Sequence, residues 1–404
     1  MKVAIAHYPY PPYFQGGGET VVATLAQRLV SAGHEVTVVS LTPERRIKTE
    51  HVSGVKVVRI PHANIYWVLK DFRAKRFLKP LWHVVDLFNF VIADRVQRVL
   101  EAEKPDVVHT HGIAGMSPLL WRSAKALGLG IVHTTHCYNL ICPRASMFRR
   151  GRNCSRICAE CRGFALVKRA MSRHVDAAIG VSNFILHRHL SFGFFPNAFI
   201  RQAVHNGITP EKESISIPNH EELRPTLSFG FLSRLPTIKG AGLLLQEFAR
   251  LDGMPAELLI GGSGESAYER RVRERSGEKV KLLGFVNPRE FFKNVGVLIV
   301  PSLWHEPFGM VTLEAYSYGV PVIGSKRGGI PELIEDGKTG FLFEPDNPGE
   351  LAQVMQRFVE RPQLARELGA NAREHAIENF SVERMVNDYV DVYTRTIEVM
   401  RQKV

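Results

Sequence analysis

Two carboxylates and two cations carry most of the chemistry legible in this chain. Glu306 and Glu314 stand eight residues apart within Val300-Pro301-Ser302-Leu303-Trp304-His305-Glu306-Pro307-Phe308-Gly309-Met310-Val311-Thr312-Leu313-Glu314. Eight residues is about 2.2 helical turns, so both face one side if a helix begins at or before Glu306; otherwise Glu306 lies in the loop ahead of it. Pro307 suits a helix start and Gly309 permits close approach of backbone to a ligand. Carboxylates at such a place can accept hydrogen bonds from sugar or ribose hydroxyls. Upstream, Arg234 and Lys239 lie five residues apart after another apolar run. A guanidinium and an ammonium at a strand end suit a diphosphate.

Two glycine turns accompany these groups. Gly16-Gly17-Gly18 follows the first apolar run, and Gly261-Gly262-Ser263-Gly264 follows Leu258-Leu259-Ile260. Neither has the GxGxxG dinucleotide spacing, but both can leave amides free beside a helix start, where an anion is welcome. A third strand end, Ile131-Val132-His133-Thr134-Thr135-His136, delivers an imidazole, and His109-Thr110-His111 ends the strand before it.

The elements that must position these groups alternate along the chain. Val3–Ala6, Val36–Val39, Val55–Ile60, Val107–His109, Ile131–Thr135 and Ala177–Val181 read as buried strands. Between the first two, Val21, Leu25 and Leu29 recur on one face of a helix over Thr20–Ala32, with Gly33 as its C-terminal cap. Polar sequence from Pro210 to Pro225 reads as a linker. The alternation then restarts with Leu227–Phe231, Glu257–Gly261, Val280–Leu283, Val297–Val300, Val320–Ile323 and Gly340–Phe343. Two successive parallel-sheet α/β domains follow from the pattern. The tail from about Ser381 is helical in character, with Met385, Tyr389, Val392 and Tyr393 at helical spacing.

Composition narrows the partners. The 404 residues carry a net charge of +12. Residues 1–207 hold 28 Lys/Arg against 12 Asp/Glu, while 208–404 hold 24 against 28. A basic half admits anionic lipid, a phosphate-bearing substrate or nucleic acid, and equally a merely solvated face. No apolar run reaches the roughly 18 residues a membrane span needs, and Leu81–Ala93 carries Asp86 in its middle. The apolar N-terminal run is too short for a secretory leader, so an integral membrane or secreted protein is not expected. Ile65 to Trp82 mixes Trp67, Phe72, Phe77 and Trp82 with Lys70, Arg73, Arg76 and Lys79. That is the composition of an interfacial amphipathic segment, or of an ordinary helix packing aromatics on a sheet.

All five cysteines fall between Cys137 and Cys161, in a stretch rich in arginine. Cys142, Cys154, Cys158 and Cys161 could close a structural zinc site as four thiolates. Reduced thiols are an equal alternative and disulfides a lesser one.

Taken as a set, the Glu306-x7-Glu314 run, the Arg234/Lys239 pair, the Gly261 turn, Gly284-Phe285-Val286, the Gly16–Gly18 turn and His205-Asn206-Gly207-Ile208 resemble glycosyltransferase family 4. The resemblance covers essentially the whole chain. It implies the retaining GT-B class, with two Rossmann-like parallel-sheet domains facing across a cleft. An acceptor-binding domain would span 1–208, with a Cys/Arg-rich insertion at 137–173 and a C-terminal helix of about 385–404 packing back on it. A nucleotide-sugar domain would span 209–384.

The resemblance also implies roles. Glu306 would hydrogen-bond the transferred sugar and Glu314 the donor ribose. Arg234 and Lys239 would neutralise the leaving diphosphate, and His136 would lie close to the sugar. Gly262, Phe308 and the backbone around Gly309, Met310 and Val311 would help hold the donor. Phe285 and Val286 would flank the base, and Gly17 and Gly18 would close over the diphosphate. Cys137 stands where the family's Thr-x-His-Asp segment has its acid, which puts a local carboxylate role in doubt. No cofactor is required for such catalysis.

The implied reaction moves a sugar from a nucleotide-sugar donor, a UDP-sugar ahead of GDP-mannose, to a saccharide or lipid-linked acceptor. The implied setting is surface polysaccharide or glycolipid synthesis in the cytoplasm, with peripheral association on the inner face of the membrane and no nucleic-acid partner. A sugar-nucleotide epimerase of the same fold and a basic, zinc-containing nucleic-acid-binding protein are the rivals. A glycosidase, with the two carboxylates flanking the bond, would leave the Arg/Lys pair and the glycine turns unemployed.

Overall fold

The computed structural model describes residues 1–13, 16–67, 69, 76–209, 226–234, 237–264 and 266–402. The chain forms two α/β units. The first comprises Met1–Met147, Cys154–Gly207 and Val382–Val404; the second comprises Phe148–Asn153 and Ile208–Ser381. The linker expected over Pro210–Pro225 lies outside the described residues, as do Lys70, Phe72 and Arg73 of the amphipathic segment.

In the first unit, β1 (Lys2–Ala6), β2 (Glu35–Thr42), β3 (Lys48–Val52), β4 (Val55–Pro61), β5 (Val107–Thr110) and β6 (Gly130–Thr135) share one sheet with two later strands. The short strands β7 (Phe148–Arg149) and β8 (Arg152–Asn153) form a separate hairpin. The sheet is completed by β9 (Ala177–Gly180) and β10 (Ile200–Ala203). Its order is β10-β9-β6-β5-β1-β2-β4-β3. All pairings are parallel except β3 with β4.

Sequence reasoning missed β3. It is a charged edge strand, Lys-Thr-Glu-His-Val, with no apolar run to announce it, and an edge tolerates that composition. Ser53 and Gly54, both at positive φ, make the two-residue turn that folds it back.

Helix α1 (Gly17–Ser31) buries Val21, Val22, Leu25 and Leu29. It begins three residues earlier than expected, so Gly17 and Gly18 belong to its first turn rather than to a loop ahead of it. The apolar run Leu81–Ala93 proves to be parts of two helices, α2 (Lys79–Leu87) and α3 (Phe90–Glu103), separated where Asn89 caps the second through Ile92 N–H. Among the described residues no helix is long and apolar enough to cross a membrane. The C-terminal helix Val382–Arg401 returns to this unit and buries Met385, Tyr389, Val392 and Tyr393.

In the second unit, β11 (Leu227–Leu232), β12 (Ala256–Gly261), β13 (Val280–Gly284), β14 (Val297–Val300), β15 (Val322–Ser325) and β16 (Gly340–Phe343) form an all-parallel sheet of order β13-β12-β11-β14-β15-β16. Phe229, Phe231, Leu258, Ile260, Val297 and Ile299 fill its core together with Phe248, Met355 and Phe358 from the flanking helices. Helix α4 (Met310–Ser317) follows β14.

Both sheets reverse their strand order once, between β1 and β5 and between β11 and β14. Ligands of open parallel sheets bind beyond the carboxyl ends of the strands at such a switch point. The residues just past those four strands are therefore where chemistry is expected.

The C-terminal helix is part of the first unit's core, so its buried side chains should matter to that unit's stability. Tyr389→Ala should cost about 3–5 kcal/mol, as for other large buried truncations. Guanidinium unfolding followed by tryptophan fluorescence in a Trp304→Phe background reads the first unit, which holds the other three of the four tryptophans.

Candidate active site

In the second unit, β11 and β14 end side by side, and the groups that follow them meet. Lys239, in the short 3-10 turn Thr237–Lys239, donates to both carboxylate oxygens of Glu306, at 2.9 and 2.8 Å. Ser302 Oγ and Trp304 Nε1 donate to Glu306 Oε2 at 3.0 and 2.9 Å. The Lys239 ammonium also sits 5.6 Å from the centre of the Trp304 ring. Glu306 is buried. Its charge is tolerable because three side chains donate to it and one of them is a cation.

Two glycines make this approach possible. A Cβ on Gly240, at φ +81°, would lie 1.8 Å from Pro301 O. A Cβ on Gly328, at φ +66°, would lie 2.0 Å from Glu306 O, the carbonyl that accepts Gly329 N–H at 2.7 Å. Both positions exclude any side chain, so the lysine turn and the turn after β15 each pack backbone to backbone against the glutamate loop. Asn153, on the β7–β8 hairpin, holds the same loop from another side. Its side chain donates to Leu303 O at 2.9 Å and accepts from His305 N–H at 2.8 Å.

The helical-face alternative for Glu306 and Glu314 is not what forms. Helix α4 starts at Met310, with Gly309 as its N-cap at φ +110°, so Glu306 lies in the loop and Glu314 in the helix. A glycine N-cap brings no side chain to the first-turn amides, and Met310 and Val311 contribute N–H groups without intrahelical partners. Burial pushes the Glu314 carboxyl up from its ordinary range. Ligand hydroxyls would lower that cost by donating to it.

Arg234 stands exposed just after β11. The neighbouring turn reaches it closely: a Cβ on Gly262, at φ +118°, would lie 1.8 Å from Ser233 O and 3.6 Å from Arg234 N. Phe285 is 92% exposed after β13, and Val286 beside it is half-buried. Phe308, by contrast, is buried in the protein.

The first unit gathers imidazoles past its own switch point. His7 follows β1, His111 follows β5 and His136 follows β6. His111 Nδ1 lies 2.8 Å from His136 Nε2. A Cβ on Gly18 would lie 4.0 Å from His136 Nδ1, so the glycine turn and that imidazole are neighbours. Burial is the main cause of low pKa values throughout this group: His7 is lowered to about 3, His136 and His189 to about 4, and His109, His111 and His133 fall well below 6.5.

The cysteines remain thiols. Cys158 and Cys161 have their sulfurs 3.3 Å apart, and burial together with the Cys158 and Cys142 thiols pushes Cys161 up. Among the described residues no group of three or more His, Cys, Asp or Glu is arranged to hold a metal ion. Of the four cysteines named from the spacing, Cys142, Cys158 and Cys161 interact through their thiols.

With this geometry in hand, comparison with known proteins is decisive about family. The descriptions "Glycosyltransferase Family 4" and "Glycosyl transferases group 1" match residues 15–212 and 216–375. A 42.6 kDa protein of the cps region of Klebsiella pneumoniae is 32% identical over 338 residues, 82% of this chain and 87% of that one. The chain belongs to glycosyltransferase family 4. A glycosyltransferase of Methanocaldococcus jannaschii is 27% identical over 99% of this chain and 100% of its own length. Among solved structures, sucrose-phosphate synthase from Thermosynechococcus elongatus superposes with a TM-score of 0.76 at 20% identity, covering 98% of this chain and 99% of that one. Anabaena HepE in complex with UDP and glucose gives 0.68 at 19% identity, with coverage of 98% and 99%. These likenesses establish the GT-B fold, and the family makes this chain a glycosyltransferase.

Sequence reasoning missed Ser302, Trp304, Asn153 and Gly328 as supports of the Glu306 loop, and the pairing of His111 with His136. Only the Gly328-Gly329 pair left a signal, as a turn before Ile330.

The neutral histidine group has a consequence for acid stability. An unfolded chain takes up these protons near pH 6.5, whereas the folded chain resists until about pH 4 or below. Stability is thus fully present above pH 6.5 and is lost as pH falls toward 4. Thermal melts across that window should show the decline. His189→Phe should flatten its slope by up to about 1.4 kcal/mol per pH unit.

Proposed function

We propose that this glycosyltransferase is a retaining enzyme that takes its sugar from a UDP-sugar, with GDP-mannose the next donor to test. The acceptor is a saccharide or a lipid-linked saccharide of a surface polysaccharide or glycolipid. The observation that carries the reading is the bidentate Lys239–Glu306 pair at the β11/β14 switch point, with Arg234 exposed just after β11. HepE, which shares the fold, has been captured with UDP and glucose.

The chemistry follows from charge. Breaking the anomeric C–O bond leaves a cationic sugar centre and a diphosphate that gains negative charge. Arg234, Lys239 and the amides of Met310 and Val311 would stabilise that anion more in the transition state than in the ground state. Lys239 is already held in place by Glu306, so little reorganisation is needed when the diphosphate arrives. Glu306 then keeps Ser302 and Trp304 as partners and has lone pairs to accept from sugar hydroxyls. Glu314 would receive the ribose hydroxyls, Phe285 and Val286 would flank the base, and Gly262 would lie along the phosphates. The leaving phosphate oxygen takes the acceptor's proton, the outcome expected of a retaining transfer in which donor and acceptor react on one face.

A panel of nucleotide sugars should single out one base by thermal stabilisation, since a ligand held by the native state raises the melting temperature. Glu306→Gln and Lys239→Ala should each lower kcat at least about 100-fold, the scale of losing one preorganised charge-stabilising contact, with the native circular-dichroism spectrum retained below the melting temperature, which Lys239→Ala should lower because it leaves Glu306 without its cation. Turnover within a few-fold of the parent in either variant would end this reading.

Peripheral membrane association is the second part of the proposal. Trp67 and Trp82 of the amphipathic segment are buried, Trp82 donating to Tyr66 O at 3.1 Å, so those aromatics serve the core. The exposed apolar side chains come just after: Phe77, 79% exposed, with Leu81, Val84 and Phe88 at helical spacing, then Phe90 and Val91. A stripe of this kind on the basic half of the chain suits an anionic bilayer surface. The protein should float with phosphatidylglycerol vesicles at moderate salt, and Leu81→Glu with Val84→Glu should release it. Failure to float at any salt removes this part.

A further inference from the structure

His111 is held on several sides. Its backbone N–H donates to Ala6 O at 3.1 Å, tying β5 to β1. Its ring rests on His109, with ring centres 3.8 Å apart. His109 cannot turn, because its Nδ1 meets Tyr393 Oη at 2.7 Å and its Nε2 meets Thr134 Oγ1 at 2.8 Å. Thr134 is itself bonded to Tyr389 Oη at 3.1 Å. The His7 ring meets His111 edge-on at 5.9 Å, and its Nδ1 is occupied by Gly112 N–H at 3.0 Å. The C-terminal helix therefore braces His109, and His109 braces the imidazole that touches His136.

Between His111 Nδ1 and His136 Nε2 there is room for one proton. Both rings are neutral near pH 7 because of their burial. His111 Nε2 is buried with no hydrogen-bond partner. A proton placed there would leave a donor unpaired. A proton on Nδ1 instead serves the 2.8 Å bond and leaves only a lone pair unmatched, the smaller loss. His136 Nε2 is then the acceptor, and the proton of that neutral ring must be on Nδ1, the atom that faces Gly18 at the start of α1.

We infer that His111 is a positioning residue that fixes His136 as the Nδ1–H tautomer, presenting a neutral hydrogen-bond donor to a hydroxyl oxygen of the sugar. A neutral donor suits a neutral hydroxyl. With Nε2 engaged and Nδ1 already protonated, His136 has no free lone pair with which to take the acceptor's proton. The sugar-facing part rests on the function proposed above; the tautomer does not.

The test uses the full chain labelled with ¹⁵N-histidine, without any sugar nucleotide. Two-bond ring correlations identify the tautomer, and the His136 signals are those lost in His136→Asn. The expected result is a proton on Nδ1 in the parent, a shift of that proton to Nε2 in His111→Phe, and retention of the parent tautomer in His111→Gln, whose amide can still donate. With the donor selected by the panel, kcat should fall about 10-fold in His111→Phe, the worth of one hydrogen bond, at unchanged donor KM, and recover in His111→Gln. A parent His136 protonated on Nε2, or a tautomer indifferent to His111→Phe, overturns the inference even if transfer is normal. The expected tautomers together with absent transfer would instead count against the function alone.

Discussion

The constraint on which the second unit's site depends is the joining of a lysine to a buried carboxylate across two strand ends. The carboxylate is buried, and a buried charge is costly unless it is paired and hydrogen-bonded. Together lysine and carboxylate fix one another, and Ser302 and Trp304 complete the shell of Glu306. Packing the lysine turn and the turn after β15 against the glutamate loop demands glycine at 240 and at 328, where any Cβ would overlap a main-chain atom. The residues best suited to chemistry are thus inseparable from residues with no side chain at all. The order in which charges, caps and glycines appear along this stretch follows from that one contact.

The first unit solves a different problem with the same topology. Its switch point carries imidazoles instead of an ion pair, and burial keeps them uncharged. Uncharged rings can be stacked and bonded to one another without the repulsion that a row of cations would create. The anchor of that row is a helix from the opposite end of the sequence, through Tyr389 and Tyr393.

The alternation of Val/Ile runs with amphipathic stretches made both sheets legible, because a strand covered on two faces has to be apolar throughout. Strand ends then marked Arg234, His136 and the Glu306 region from the residue pattern alone. What stayed hidden depended on contacts between residues distant in the chain. Glu306 could have been helical or not by spacing alone, and only the cap at Gly309 decides. Ser302 and Trp304 read as ordinary loop residues until their hydrogen atoms are seen to converge. The charged strand β3 gave no apolar signal, and the aromatic pair Trp67 and Trp82 looked interfacial but packs inward.

The β7–β8 hairpin is coded within the first half of the chain but folds as part of the second unit, where Asn153 clamps the backbone on both sides of Trp304. Sequence boundaries and structural boundaries therefore disagree here, as they do at the C-terminal helix. A fragment cut at the linker would carry the whole six-stranded sheet yet arrive without the clasp on its glutamate loop. Dissecting the enzyme into halves would thus loosen the Glu306 loop while leaving the core of that sheet intact, and grafting the six-residue hairpin back would be the way to restore it.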